Sequence, residues 1–102
     1  MIRITVTYPA AAGSRFDHVY YESKHRALLE RLLGDHGLQR VEIDHCVADG
    51  AGGKPPILAG AHLIFNDIGG FQAGMAKHGE VIMKDIPNYT DIAPAIVISE
   101  MK

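Results

Sequence analysis

In residues 61–75, "AHLIFNDIGGFQAGM", a strand passes into a helix with almost no loop between them. Leu63, Ile64 and Phe65 belong to the residue types that suit a pleated, half-buried surface, so 61–66 reads as a strand. Asn66 or Asp67 can then cap a helix on which Ile68, Phe71, Met75, Ile82 and Ile86 recur at helical spacing. Gly69, Gly70, Gly74 and Gly79 weaken that helix, and a break near Gly79 is expected. Pro87 ends it, 88–94 is a connector, and "AIVISEM" at 95–101 is a final strand.

Toward the N-terminus, "DGAGGKPPILAG" at 49–60 carries four glycines and two adjacent prolines, so it reads as a mobile loop placed to cover a pocket edge or simply to lie on the surface. Its glycines before Lys54 are no phosphate cradle, because prolines and a strand follow the lysine where a Ser or Thr and a helix are required. Residues 38–48, "LQRVEIDHCVA", alternate Val41, Ile43, His45 and Val47 against Arg40, Glu42, Asp44 and Cys46, with the period of a strand. Residues 2–8, "IRITVTY", do the same with Ile2, Ile4, Val6 and Tyr8. Between these strands a helix starts at Ser14 or Asp17, with Ser14 as the capping side chain, and runs to about Leu33, where Gly34 and Gly37 bracket its end.

The order strand, helix, strand, strand, helix, strand is the ferredoxin-like βαββαβ arrangement, an α+β fold with two helices on one face of a four-stranded antiparallel sheet. Ile96 and Ile98 oppose Val97 and Met101, and Leu63 and Phe65 oppose Ile64, so both sheet faces are expected to be apolar. Such a bare face predicts a homodimer whose sheets face each other.

The 102 residues fit one domain spanning 1–102, and a formal net charge of −2 gives no electrostatic footprint for nucleic acid or an anionic membrane. No apolar run reaches the roughly 18 residues that span a bilayer. With a strand-like start and one cysteine, Cys46, the chain reads as cytoplasmic, and its expected partners are a small-molecule substrate and a second copy, with no nucleic acid and no membrane.

On a wheel of about 100° per residue, Tyr21, His25, Leu28, Leu29 and Leu32 share the buried side of the first helix, with His18 at its edge. His25 is therefore either a core histidine satisfied by a carbonyl or hydroxyl, or a general acid/base suited to neutral pH. His18 and His25 are seven apart, about 10.5 Å along a helix, too far to share one ion, and no other histidine pair has ligand spacing. No metal and no cofactor are expected. His45 and Cys46, as strand neighbours, point to opposite faces and form no dyad. His78 and Asp85 fall within about 20° of each other beside the apolar stripe of the second helix. With Tyr89, Tyr20 and Phe16 they make the expected substrate-binding rim around catalytic His25 and Tyr21.

The strand ending in "YP", then "FDHVYYESKH" (16–25), "LIFNDIGGFQAGM" (63–75) and "DIPNYTDIAPAIVISEM" (85–101) together resemble the EthD family, named for a role in ethyl tert-butyl ether degradation. The resemblance covers nearly the whole chain and rests on the tyrosine pair with a histidine four residues later, together with the "DIPNYTD" run. It implies a dimeric α+β barrel, in a superfamily that includes muconolactone isomerases, heme-degrading and quinol-forming monooxygenases and polyketide-tailoring enzymes, many of them free of metal or organic cofactor. It maps onto Phe16, Asp17, Tyr20, Tyr21 and His25 and onto Asp85, Pro87, Asn88, Tyr89, Thr90 and Asp91. The expected function is a cofactor-independent isomerase or oxygenase-like enzyme acting on a small apolar, aromatic or lactone-type metabolite, with His25 moving a proton and Tyr21 orienting it. The alternative is a non-catalytic binding or accessory module for a catabolic oxidoreductase system.

Overall fold

A computed structural model describes residues 1–102. Strand β1 spans Ile2–Pro9, β2 Leu38–His45, β3 Ile57–Phe65 and β4 Ala95–Glu100. Helix α1 consists of an α-helical turn His18–Tyr20, one π turn Tyr21–His25 and a regular stretch Arg26–Leu33, followed by a 3-10 turn at Gly34–His36. Helix α2 spans Ile68–Asp85 without interruption. The sheet order β2-β3-β1-β4, antiparallel throughout, is the ferredoxin-like one, so the fold class expected from element order holds. No helix is long and apolar enough to cross a membrane.

Four local expectations need correction. Asp17, not Ser14, caps α1, its side chain accepting from Tyr20 N–H at 3.0 Å. No break occurs at Gly79, because both sides of α2 pack on the sheet and on α1 and tertiary contact overrides the weak propensity. The third strand begins at Ile57, not 61, since β3 is a central strand whose main chain pairs with β1 from Ile57 and with β2 from Ala59. The loop before it covers no pocket edge: neither cavity described below is lined by a residue of 46–56, and Asp49 Oδ1 accepts from Ala51 and Gly53 N–H within the loop itself.

The helices cover the side of the sheet bearing Ile4, Tyr8, Leu63 and Ala61, all nearly sealed from solvent with Leu33, Phe65 and Tyr89. The open side is not the apolar face expected. Strand register places Arg3, Ile64 and Arg40 in one cross-strand row, Thr5, His62 and Glu42 in the next, and Thr7, Gly60 and Asp44 in a third. Strands one and two therefore contribute polar residues there, and Ile64, flanked by two arginines whose aliphatic stems can cover it, is already fully buried. The exposed apolar surface is concentrated on edge strand β4, where Ile96 and Ile98 on the helix side are 49% and 45% exposed and Val97, beside Thr5 on the open side, is 59% exposed.

Candidate functional site

Tyr8 closes the inward-facing alternation of β1, and Tyr21 and His25 lie on the inner side of α1. The π turn accounts for how the last two meet. Arg26 N–H reaches back to Tyr21 carbonyl, and widening the turn brings residues four apart closer to eclipse, so the Tyr21 and His25 rings stack at 5.5 Å between centroids and 15° between planes. Asp85 is the last residue of α2, and the 3-10 turn Ile86–Asn88, started with Pro87, swings Tyr89 inward. That turn is stitched to the entry of α1 by an isolated bridge between Phe16 and Thr90 and by Asp17 N–H donating to Tyr89 carbonyl at 2.7 Å.

His25 is 4% exposed, and its Nδ1 stands 2.8 Å from Asp85 Oδ2. Tyr20 hydroxyl donates to Asp85 Oδ1 at 2.6 Å and Asn88 Nδ2 donates to the same oxygen at 2.9 Å. On the other side of the ring, Tyr89 hydroxyl lies 3.4 Å from Nε2 and 2.5 Å from Tyr8 hydroxyl. These contacts make one chain of groups, Tyr8, Tyr89, His25 and Asp85. Burial would push the Asp85 carboxyl up, and the C-terminal end of a helix also disfavours a negative charge, but hydrogen bonds from Tyr20, His25 and Asn88 outweigh this and hold it below the usual carboxylate range. Burial drives the His25 pKa down, and the hydrogen bond and charge of Asp85 offset that only in part. An ionised carboxylate can only accept, which assigns the proton of the neutral imidazole to Nδ1 and leaves a lone pair on Nε2. Burial raises Tyr8, Tyr21 and Tyr89 above the usual phenol range, so all three keep their protons at neutral pH.

Tyr8, Tyr21 and His25 form part of the wall of a cleft of about 60 Å³ between the sheet and both helices. Fourteen of its sixteen lining residues are hydrophobic, so an apolar occupant is favoured and His25 is the one imidazole there. Phe71, Met75 and Met83 of α2 supply the far wall, and methionines are the side chains most able to yield to a ligand. Met83, Ile86 and Pro94 continue from the cleft into a shallow outer recess of about 420 Å³.

The sequence-derived set is thus mostly brought together, in two layers. Tyr21 and His25 face the cleft, while Tyr20, Asp85, Tyr89 and Phe16 stand behind them; Phe16 packs edge-on against Tyr8, Tyr21 and Tyr89 at 5.1–5.5 Å. His25 takes its hydroxyl partner from Tyr89 rather than from Tyr21, which touches it by ring stacking. His78 is not in the group and packs edge-on against His36. Sharing an angular position with Asp85 does not bring it near, because seven residues span about 10.5 Å of helix axis. His18 stacks on His45 at 3.5 Å, away from the cleft. Tyr8 and Asn88 complete the network from outside the sequence-derived site residues: Tyr8 reads as one more apolar position of its strand, and its single polar atom is the only hint.

A sequence model of the EthD domain matches residues 13–93. Comparison with curated proteins finds no match. Among solved structures, an EthD-like protein from Ralstonia eutropha JMP134 is 38% identical, with a TM-score of 0.91 over 97% of this chain and 89% of that one. An EthD family protein from Bacillus halodurans C-125 is 18% identical, with a TM-score of 0.67 over 100% and 99%. A dimeric ferredoxin-like protein from an uncultured marine organism is 12% identical, with a TM-score of 0.56 over 100% and 99%; these last two share the fold. The match across 13–93 and the 38% identity over nearly the full length establish that this chain belongs to the EthD family.

Proposed function

We propose that the protein is a cofactor-independent enzyme that moves a proton on a small, largely apolar, aromatic or lactone-type metabolite held in the cleft. The observation that carries this reading is the buried neutral His25, its Nδ1–H fixed by Asp85 and its ring exposed to an apolar cleft. Nε2 takes a proton from an acidified C–H or O–H of the substrate; the imidazolium so formed is stabilised by the Asp85 carboxylate, and the negative charge left on the substrate is met by a tyrosine O–H. Return of the proton to a different atom is isomerisation, and addition of dioxygen to the carbanion is the oxygenase variant.

Thermal-shift screening of aromatic and lactone metabolites identifies ligands, and exchange of ligand C–H for deuterium in D2O then reports the proton transfer. The working form of His25 is the deprotonated one, and its pKa lies below the ordinary 6.5, so exchange is expected to be level above about pH 6.5 and to fall as pH drops through the folded-state value. A ligand that binds without any exchange or turnover between about pH 5 and 8 selects the second reading, a non-catalytic binding or accessory module. That reading draws on the fully buried Tyr89 hydroxyl, which already occupies the Nε2 side of the ring.

The working unit is a homodimer joined through the open sheet face. Arg3 and Arg40 mark one end of that face and Asp44 the other, with Glu42 in the row between and paired to Arg40 at 2.8 Å, so a two-fold axis running across the strands lays Arg40 of one copy over the end of its partner that carries Asp44. The dimeric state described for the marine ferredoxin-like protein supports the same reading. Sedimentation should give twice the 11.1 kDa chain mass at low salt, and Asp44→Lys should shift the population toward monomer; a monomer at all concentrations would sink the dimer.

A further inference from the structure

Arg15 stands at the outer recess that continues the cleft, and its main chain is held at both ends. Its N–H donates to Asp91 Oδ1 at 3.0 Å and its carbonyl accepts from Thr90 Oγ1 at 2.7 Å, next to the Phe16 to Thr90 bridge. The guanidinium donates through Nη2 to Pro87 carbonyl at 2.7 Å, a single bond from a group with five N–H donors. No carboxylate oxygen lies within the 4.0 Å of an ion pair; the acids of the five ion pairs present are committed to other bases, and Asp91 is committed to the Arg15 main chain. A fixed, exposed and unneutralised guanidinium therefore borders the same recess as Met83, Ile86 and Pro94, which also line the apolar cleft.

We propose that Arg15 is the anion-binding residue of this site and that its ligand is a small apolar molecule ending in a carboxylate, with the apolar part in the cleft and the carboxylate on the guanidinium. The inference rests on the reading of the cleft as a small-molecule site and narrows its substrate class. A planar guanidinium matches a carboxylate with two parallel N–H donors, and holding the backbone beforehand removes part of the ordering cost of binding.

Chemical-shift titration at pH 7 with two probes of equal chain length, hexanoate and hexan-1-ol, tests it. Hexanoate is expected to bind about tenfold or more tightly than hexan-1-ol. Arg15→Gln should bring the hexanoate affinity down to about that of hexan-1-ol and so abolish the preference, and Arg15→Lys should keep a part of it, because a point charge survives and the fork does not. Equal affinities in the unaltered protein, or a preference that survives Arg15→Gln, would overturn the Arg15 assignment and leave the cleft reading standing. If neither probe perturbs the resonances of Tyr21, His25 or Met83, both fall.

Discussion

His25→Ala is expected to slow ligand C–H exchange by about 10²–10⁴-fold, the range a positioned general base supplies, with ligand affinity changed far less. The group removed is the only imidazole on the cleft wall, and no neighbour can replace it, because burial keeps Tyr8 and Tyr21 protonated. Asp85→Asn separates positioning from packing. The amide is similar in shape but carries no charge, and its NH2 group faces three donors from Tyr20, His25 and Asn88 that now compete for one carbonyl oxygen. Asp85 at present raises the His25 pKa against the larger effect of burial, so its loss should move the midpoint of the exchange profile to lower pH as well as lowering the rate. A purely structural role for Asp85 would change stability and leave that midpoint where it is. Unchanged exchange in His25→Ala would remove the general-base assignment, and His25→Gln, which fills more of the space, guards against a trivial loss of folding.

The parts of this molecule readable from sequence are those in which one residue decides for itself. The alternation of Ile2, Ile4, Val6 and Tyr8 names both the strand and its buried side, and the spacing of Tyr21 and His25 puts them on the inner side of α1. What could not be read depends on a second segment. Residues 57–60, "ILAG", look like loop because they follow two prolines and include a glycine, yet they form a central strand in which small residues are required: a Cβ at Gly60 would stand 3.0 Å from Val6 carbonyl oxygen. The polarity of the open face follows from register, since Ile64 looks like one more exposed apolar residue until Arg3 and Arg40 are seen on either side. The partners of His25 lie 60 and 64 residues away, and the alternatives left by helical spacing favour the nearer Tyr21. The π turn leaves no signature in the residues that form it, although it decides how Tyr21 and His25 meet.

Gly70→Ala is expected to destabilise the fold by about 2 kcal/mol, with Tm lower by about 10 °C, although alanine is the better helix former. The glycines of α2 weaken it when only propensity is considered, but they are not equivalent once α1 is in place. A Cβ at Gly70 would collide with the carbonyl oxygen of His36, in the turn that ends α1, and main chain cannot turn aside as a side chain can. One turn later a Cβ at Gly74 would meet Leu33 Cδ2 at 2.8 Å, so the pair forms the surface on which the two helices come close. Overpacking a contact of this kind costs about 1–3 kcal/mol, occasionally more, and the helix-propensity gain of about 1 kcal/mol offsets only a part. Gly79 is different, since a Cβ there meets only the mobile end of Met75 at 3.4 Å. Gly79→Ala should therefore be neutral or stabilise by up to about 1 kcal/mol. Urea unfolding of the two variants tests the argument as a difference. Equal effects would mean that α1 and α2 do not approach at Gly70, and the orientation of α2, which places Asp85 against His25, would then need another cause.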